Sequence, residues 1–296
     1  MKKKYELTTI KTYVEGYDKP LYAIRALKDF GKVKAGDFGG YIESESNLSQ
    51  KGNCWIGENA KVFGNAKIRD NAYIANSIYI NRNIKIYDNA NISGNASING
   101  SIKISGNAKI TDNACIFCDN NAAGEITDNA AIYGNADIGN NIRIYGNANI
   151  FENAAIDNAV IGSDAKIHGS AIISGNADIA GNVDIKGAAY LYKNAYIRNN
   201  TDYITIQNQP KYCRYDYCDS MTFYKTKDND VFVNYHPFEL FKDYVKNNLE
   251  YPLKEYKPEV SEDIKTYERK KAYYNKIANY YVALINLVEQ YFALSD

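Results

Sequence analysis

Aliphatic residues return at every sixth position over a long central part of the chain, with no slip between residues 56 and 116. An alanine follows four residues after most of them, usually preceded by Gly-Asn or Asp-Asn. The aliphatic positions are Ile56, Val62, Ile68, Ile74, Ile80, Ile86, Ile92, Ile98, Ile104, Ile110 and Ile116. A fixed period of this kind predicts a repeat architecture, which has to be recognised before any single helix or strand is considered.

Each hexad predicts a short strand followed by a corner. The aliphatic residue and the alanine point inward, while their neighbours point outward with the alternation of a strand. Asn, Asp and Gly supply the corner because they tolerate the left-handed backbone region with least strain. One hexad cannot bury its own isoleucine, so the hexads must stack. Three hexads close a triangular turn of 18 residues.

A second period of 18 residues supports this three-sided prism. Ile84 and Ile102 replace the inward alanine and lie 18 residues apart, so they are expected to stack on one edge. Asparagines in the same register predict side-chain ladders between successive turns. One column contains Asn53, Asn71, Asn89 and Asn107, and another contains Asn158, Asn176 and Asn194.

Two irregularities interrupt the array. Four extra residues fall within 117–125, and one residue is missing between Ile156 and Ile161. The remaining residues from 56 to 206 make about eight turns, which at one strand spacing per turn gives a prism about 38 Å long.

Three regions follow from these patterns. Residues 1–50 predict a small mixed α/β cap, in which residues 13–26 precede a glycine-rich stretch. Residues 51–206 form the β-helix, and residues 207–296 predict an α+β region of different composition. The fold class is therefore mainly β.

The C-terminal region predicts a β-hairpin followed by helices. Residues 221–226 and 231–235 alternate like strands around a polar turn. Residues 238–249 predict a short helix, and a long helix begins at about Ser261, which is a suitable N-cap. The long helix carries a wide apolar stripe. That stripe must dock, either on the chain itself or on a partner.

Composition excludes several classes of function. The 35 basic and 35 acidic residues balance, so we expect no nucleic-acid partner. No apolar run approaches the roughly 20 residues of a membrane span, so we expect no membrane partner. Five cysteines, an odd number, argue against a secreted disulfide framework. A cytoplasmic location is the expectation.

The run Ile-x-Gly-Asn-Ala-x resembles the hexapeptide repeat of left-handed parallel β-helix proteins, best known from trimeric acyltransferases. The resemblance covers about half of the chain. It implies a left-handed coil with three hexads per turn, although parallel crossovers are usually right-handed. It also implies a homo-oligomer, such as a trimer, and an acyl-coenzyme A donor for any enzyme of this kind.

A narrower resemblance lies before the repeats. The segment GDFGGYIESESNLSQ at residues 36–50, followed by Trp55, is similar to the lead-in of a bacterial and phage-borne family whose members are often labelled transferases. Residues 221–228 also resemble that family's hairpin. Where the family continues with Cys-Gly-Cys-Phe, this chain has residues 234–238, NYHPF. Any role of the family's cysteines is therefore not carried over.

The acyltransferases of the wider superfamily use a histidine on the prism as general base, and here His168 is the candidate. No neighbouring acid is expected to orient its ring. Tyr133, Phe151 and His168 occupy equivalent outward positions on successive turns and predict an aromatic column, which Lys186 extends. We expect this column to be a binding surface, covered by a second subunit or by the C-terminal helix.

The cysteines raise the alternative of a zinc site. Cys115 and Cys118 form one pair, and Cys213 and Cys218 form another. About five turns, or 24 Å, separate Cys115 from the end of the solenoid, so we expect no metal site.

We therefore expect a rigid β-solenoid scaffold of phage or prophage origin that binds a protein partner or its own copies, without a catalytic residue or cofactor. The alternative is a hexapeptide-repeat acyltransferase that uses acyl-coenzyme A, with His168 as general base. A third interpretation is a structural protein of the virion or tail.

Overall fold

The computed structural model describes residues 2–57, 59–119, 123–207, 220–228, 230–234, 236–249 and 264–293. The protein is mainly β, with a parallel β-solenoid of about eight turns at its centre. A short antiparallel sheet and two helices follow the solenoid. No helix in the described part of the chain is long and apolar enough to cross a membrane.

Three parallel sheets form the faces of the solenoid. The first face contains β3 (Phe38–Ile42), β5 (Lys61–Val62), β8 (Tyr79–Ile80), β11 (Ser97–Gly100), β14 (Cys115–Cys118), β17 (Asp137–Ile138), β20 (Ala155–Ile156), β23 (Ile172–Ile173) and β26 (Tyr190–Leu191). The second contains β4 (Trp55–Ile56), β7 (Tyr73–Ile74), β10 (Asn91–Ile92), β13 (Lys109–Ile110), β16 (Ala131–Ile132), β19 (Asn149–Ile150), β22 (Lys166–Ile167) and β25 (Asp184–Ile185). The third contains β6 (Lys67–Ile68), β9 (Lys85–Ile86), β12 (Ile102–Ile104), β15 (Gly124–Ile126), β18 (Arg143–Ile144), β21 (Ala159–Ile161), β24 (Ala177–Ile179) and β27 (Tyr196–Ile197). The chain visits the three faces in rotation, so each hexad supplies one strand.

The core is a stack of the predicted inward residues. The repeated isoleucines and alanines are buried along the whole prism. Ile84 and Ile102 are buried one above the other at the alanine position, as predicted. The next turn places Gly124 opposite Ile102, and a Cβ at residue 124 would lie 3.2 Å from the Ile102 side chain. The small residue compensates for the large one.

Amide ladders join the turns at the corners. The longest runs through Asn53, Asn71, Asn89, Asn107, Asn129, Asn147 and Asp164, in that order. It confirms the first predicted column and continues across the four-residue insertion. It ends at Asp164 because a carboxylate accepts hydrogen bonds but cannot donate one onward. A second ladder joins Asn95, Asn113, Asn135 and Asn153.

The other predicted asparagine column makes different contacts. Asn158 Oδ1 accepts a hydrogen bond from Asn141 Nδ2 at 2.8 Å, below it in the stack. Between Asn158 and Asn176 the link is a main-chain bond, in which the Asn176 N–H donates to the Asn158 carbonyl at 2.7 Å. The one-residue deletion that follows Asn158 shifts the corner register there.

The N-terminal cap is built from strands, which differs from the mixed α/β cap predicted for residues 1–50. β1 (Tyr5–Val14) and β2 (Tyr17–Ala26) form an antiparallel hairpin, and β2 pairs in turn with β3. Val14 lies opposite Tyr17, so the turn has two residues, and Gly16 adopts a φ of 73°. Glycine suits such a turn because it tolerates a positive φ.

The C-terminal region closes the last turn of the solenoid. After a short 3₁₀ helix at Asn200–Asp202, β28 (Tyr203–Gln207), β29 (Ser220–Lys225), β30 (Val231–Val233) and β31 (His236–Pro237) make a four-stranded antiparallel sheet. This sheet contains the predicted hairpin. The Tyr224 hydroxyl donates to the Tyr192 carbonyl at 2.8 Å, and the Tyr190 N–H donates to Thr222 Oγ1 at 2.8 Å.

Two helices cover this sheet. α1 (Phe238–Leu249) has the predicted bounds, and α2 extends over Ile264–Phe292, with the predicted start at Ser261 lying outside the described residues. The apolar stripe of α2 packs into a second core with α1 and the sheet. Phe241 and Tyr281 meet there at 6.1 Å between ring centroids. The stripe therefore docks within its own chain.

Candidate functional site

The predicted aromatic column is present on the second face. Tyr133, Phe151 and His168 each follow the inward isoleucine of β16, β19 and β22 and project outward at the same register. The rings of Tyr133 and Phe151 stack at 5.0 Å and 3°, and those of Phe151 and His168 at 4.6 Å and 5°. In-register parallel strands place successive side chains about 4.8 Å apart, which is a suitable spacing for stacked rings. All three side chains are half-buried.

Lys186 occupies the next position and makes a charged contact instead of a ring contact. Its Nζ lies 3.7 Å from Asp184 Oδ2, and the lysine side chain is exposed. The column therefore has three stacked rings, with a cation and a carboxylate at its upper end.

His168 lies between two carboxylates. Its Nε2 is 2.9 Å from Asp184 Oδ1, and its Nδ1 is 3.6 Å from Glu152 Oε2. The expectation that no acid orients this ring is therefore wrong. Asp184 comes from β25 on the next turn, and Glu152 comes from the corner after β19. Counting the outward register through the deletion could have found both residues.

The main chain holds both carboxylates in place. Glu152 adopts a φ of 59° at its corner, and its Oε2 accepts the Gly169 N–H at 2.7 Å. The Asp184 N–H donates to Asn200 Oδ1 at 2.7 Å, and the Asp184 carbonyl accepts the Tyr203 hydroxyl at 2.7 Å. Burial raises the pKa of Tyr203 to about 12, so its hydroxyl keeps the proton that it donates.

This geometry assigns different tasks to the two ring nitrogens. When Nε2 carries the proton, it donates to Asp184, and the lone pair of Nδ1 is free to accept a proton. The 3.6 Å separation from Glu152 is longer than a hydrogen bond, although that charge favours the imidazolium that forms when Nδ1 takes a proton. The His168 side chain is 23% exposed, so one ring edge reaches solvent. The arrangement is that of an oriented general base.

The C-terminal helix approaches this site without using its apolar stripe. The Tyr291 hydroxyl lies 3.1 Å from the Tyr203 carbonyl and 3.3 Å from the Asn200 carbonyl, beside the residues that hold Asp184. The stripe of α2 packs on the C-terminal sheet, so it is not the cover expected for the aromatic column. A second subunit remains the predicted cover.

The cysteine pair on β14 is not arranged for zinc. Cys115 and Cys118 are three residues apart on one strand, so Cys115 points to solvent and Cys118 points into the core. Burial raises the pKa of Cys118 to about 11, and its thiol lies 3.2 Å from the Gly139 carbonyl. Cys213 and Cys218 lie outside the described residues. Within the described residues, no three His, Cys, Asp or Glu side chains are grouped to hold a metal ion.

Comparison with known proteins gives one partial match and no matching family model. A stretch of 45 residues is 51% identical to the uncharacterized acetyltransferase YdcK of Escherichia coli strain K12. The matched stretch is 15% of this chain and 14% of that relative. Together with the solenoid of about eight turns, the match fits the hexapeptide-repeat β-helix superfamily.

Proposed function

We propose that this protein is an acyltransferase in which His168 is the general base. The observation that carries the proposal is the 2.9 Å contact between His168 Nε2 and Asp184 Oδ1, since it fixes the ring and leaves Nδ1 as the proton acceptor. Support also comes from the printed name of the partial relative, an acetyltransferase, although the chain matches only 14% of that protein.

The reaction moves an acyl group from a thioester to a hydroxyl or an amine. Nδ1 removes the proton of the acceptor as its oxygen or nitrogen attacks the thioester carbonyl. The carbon–sulfur bond then breaks, and the leaving thiolate takes the proton from the imidazolium. Asp184 holds the ring throughout, and the negative charge of Glu152 stabilises the imidazolium in between.

Acyl-coenzyme A is the donor that the resemblance to this class implies. The solvent-facing edge of His168 fits a base that meets its substrates at the protein surface, as in trimers whose sites lie between subunits. We therefore expect a homotrimer in which a second copy completes the site beside Tyr133 and Phe151.

The test is release of free thiol from acetyl-coenzyme A in the presence of a panel of amine and hydroxyl acceptors. His168→Ala should lower the rate by about 10²- to 10⁴-fold, the usual contribution of a general base. Asp184→Asn should lower it too, because the amide can hold the ring in the wrong tautomer. Asp137→Asn is the matched control, since Asp137 occupies the same outward position on β17 and is exposed. A wild-type rate in His168→Ala contradicts the proposal.

A non-enzymatic scaffold is the second candidate, and the stacked column favours it. Tyr133, Phe151 and His168 form a rigid, half-buried row of rings, which is the kind of aromatic surface that protein partners use. Without thiol release from any acceptor, the scaffold becomes the better account. Phe151→Ala should then weaken self-association or partner binding, measured by sedimentation.

A further inference from the structure

A column of like charges runs up the third face of the solenoid. Lys67, Lys85 and Lys103 occupy the outward position of β6, β9 and β12 and pair directly with one another in the parallel register. Like charges placed opposite each other on adjacent strands destabilise a sheet. The arrangement therefore costs stability unless something compensates the charge.

Only the upper lysine of this column is compensated within the described structure. Lys103 Nζ lies 2.8 Å from Glu125 Oε1 on the next turn. For Lys67, Lys85 and the adjacent Arg69, no carboxylate of the described residues comes within 4.0 Å. All three of these side chains are exposed.

The same side chains line a groove of about 390 Å³. Its walls are Lys67, Arg69, Asp70, Lys85 and Tyr87. Three cations and one carboxylate give the groove a net charge of +2. Asp70 is a corner residue with a φ of 58°, and its Oδ2 lies 3.4 Å from the Asp88 N–H, so part of its charge serves the main chain.

We propose that this groove binds a small ligand that carries two linked phosphate groups. Lys67 and Lys85 stand one strand spacing apart, about 4.8 Å, so one ligand with two anionic groups can meet both. Arg69 offers a planar fork that matches two phosphate oxygens. The net charge of +2 selects a multiply charged anion, and Tyr87 adds a hydroxyl at the edge.

This site is separate from His168. The two lie on different faces, and β9 and β22 are the second and seventh strands of their faces, about 24 Å apart along the axis by strand spacing. The phosphate site therefore does not rest on the proposed acyl transfer, and either proposal can fail alone.

The experiment is calorimetric titration of pyrophosphate into the full chain at constant ionic strength. Wild type should bind one equivalent, and Lys85→Gln and Lys67→Gln should each weaken binding by at least about tenfold. Lys109→Gln is the matched control, because Lys109 holds the same hexad position on β13 of the second face and is exposed. It should stay within about twofold of wild type.

Three results overturn the proposal: no binding by wild type, an equal loss in Lys109→Gln, or equally tight binding of a dicarboxylate such as succinate. The last would show attraction to any anion. Lys85→Gln should also unfold at the same or a higher temperature than wild type, because it relieves repulsion within the column. If it unfolds earlier, binding by Lys67→Gln decides the question.

Discussion

The amide ladder at the corners predicts a specific loss of stability for Asn89→Ala. The Asn89 side chain accepts a hydrogen bond from Asn71 Nδ2 at 3.1 Å and donates one to Asn107 Oδ1 at 3.1 Å. A hydrogen bond contributes about 0.5–1.5 kcal/mol net, so two give roughly 1–3 kcal/mol. Both are exposed, and water can satisfy the partners left behind. We therefore expect a loss of about 1–2 kcal/mol.

Asn91→Ala is the control for this prediction. Asn91 lies on the same turn, is also exposed and makes no side-chain hydrogen bond to another described residue. Its replacement should change stability by less than about 0.5 kcal/mol. Urea unfolding followed by circular dichroism measures both variants, with the midpoints compared at equal slope. Equal losses in the two variants would show that the ladder adds nothing beyond the loss of an exposed amide.

Three further predictions concern single positions. Gly100→Ala should destabilise the protein by roughly 3 kcal/mol or more in urea unfolding, because its Cβ would lie 1.6 Å from the Cys118 carbonyl oxygen at a φ of 114°; Gly16→Ala, with open space around it, should cost only about 1–2 kcal/mol. Iodoacetamide at pH 8 should modify exposed Cys115 well before Cys118, whose pKa burial raises to about 11, and equal labelling by peptide mass spectrometry contradicts the burial of Cys118. Burial lowers the pKa of His236 below its usual 6.5, so the unfolded chain binds more protons and stability should fall as the pH drops below 6.5; His236→Gln should flatten this dependence in thermal unfolding, and an unchanged pH profile refutes it.

The solenoid could be predicted from the sequence because every turn repeats the same instruction. The hexad defines the inward face, and the 18-residue spacing of Ile84 and Ile102 defines the turn. The ladder through Asn53 and Asn107 follows from the same count. The N-terminal hairpin was harder, since its signal is a single Glu15-Gly16 turn between two strands that occur once.

The candidate site was only half accessible from the sequence. The register placed Phe151 and His168 in one column, but the carboxylates depend on side-chain directions as well as on positions. Asp184 reaches His168 from the next turn, while Glu152 reaches it from a corner. The docking of α2 was open for a similar reason, because an apolar stripe shows that a helix is covered without showing by what.

Calorimetric titration of acetyl-coenzyme A into the purified protein tests the central claim most directly. Acyl transfer at His168 predicts saturable binding with a Kd between about 1 μM and 1 mM, the usual range for enzyme substrates. His168→Ala should keep this binding, because the base acts on the acceptor, while losing turnover. No binding by the wild-type protein at several millimolar donor would contradict the assignment of this protein as an acetyl-coenzyme A-dependent acyltransferase.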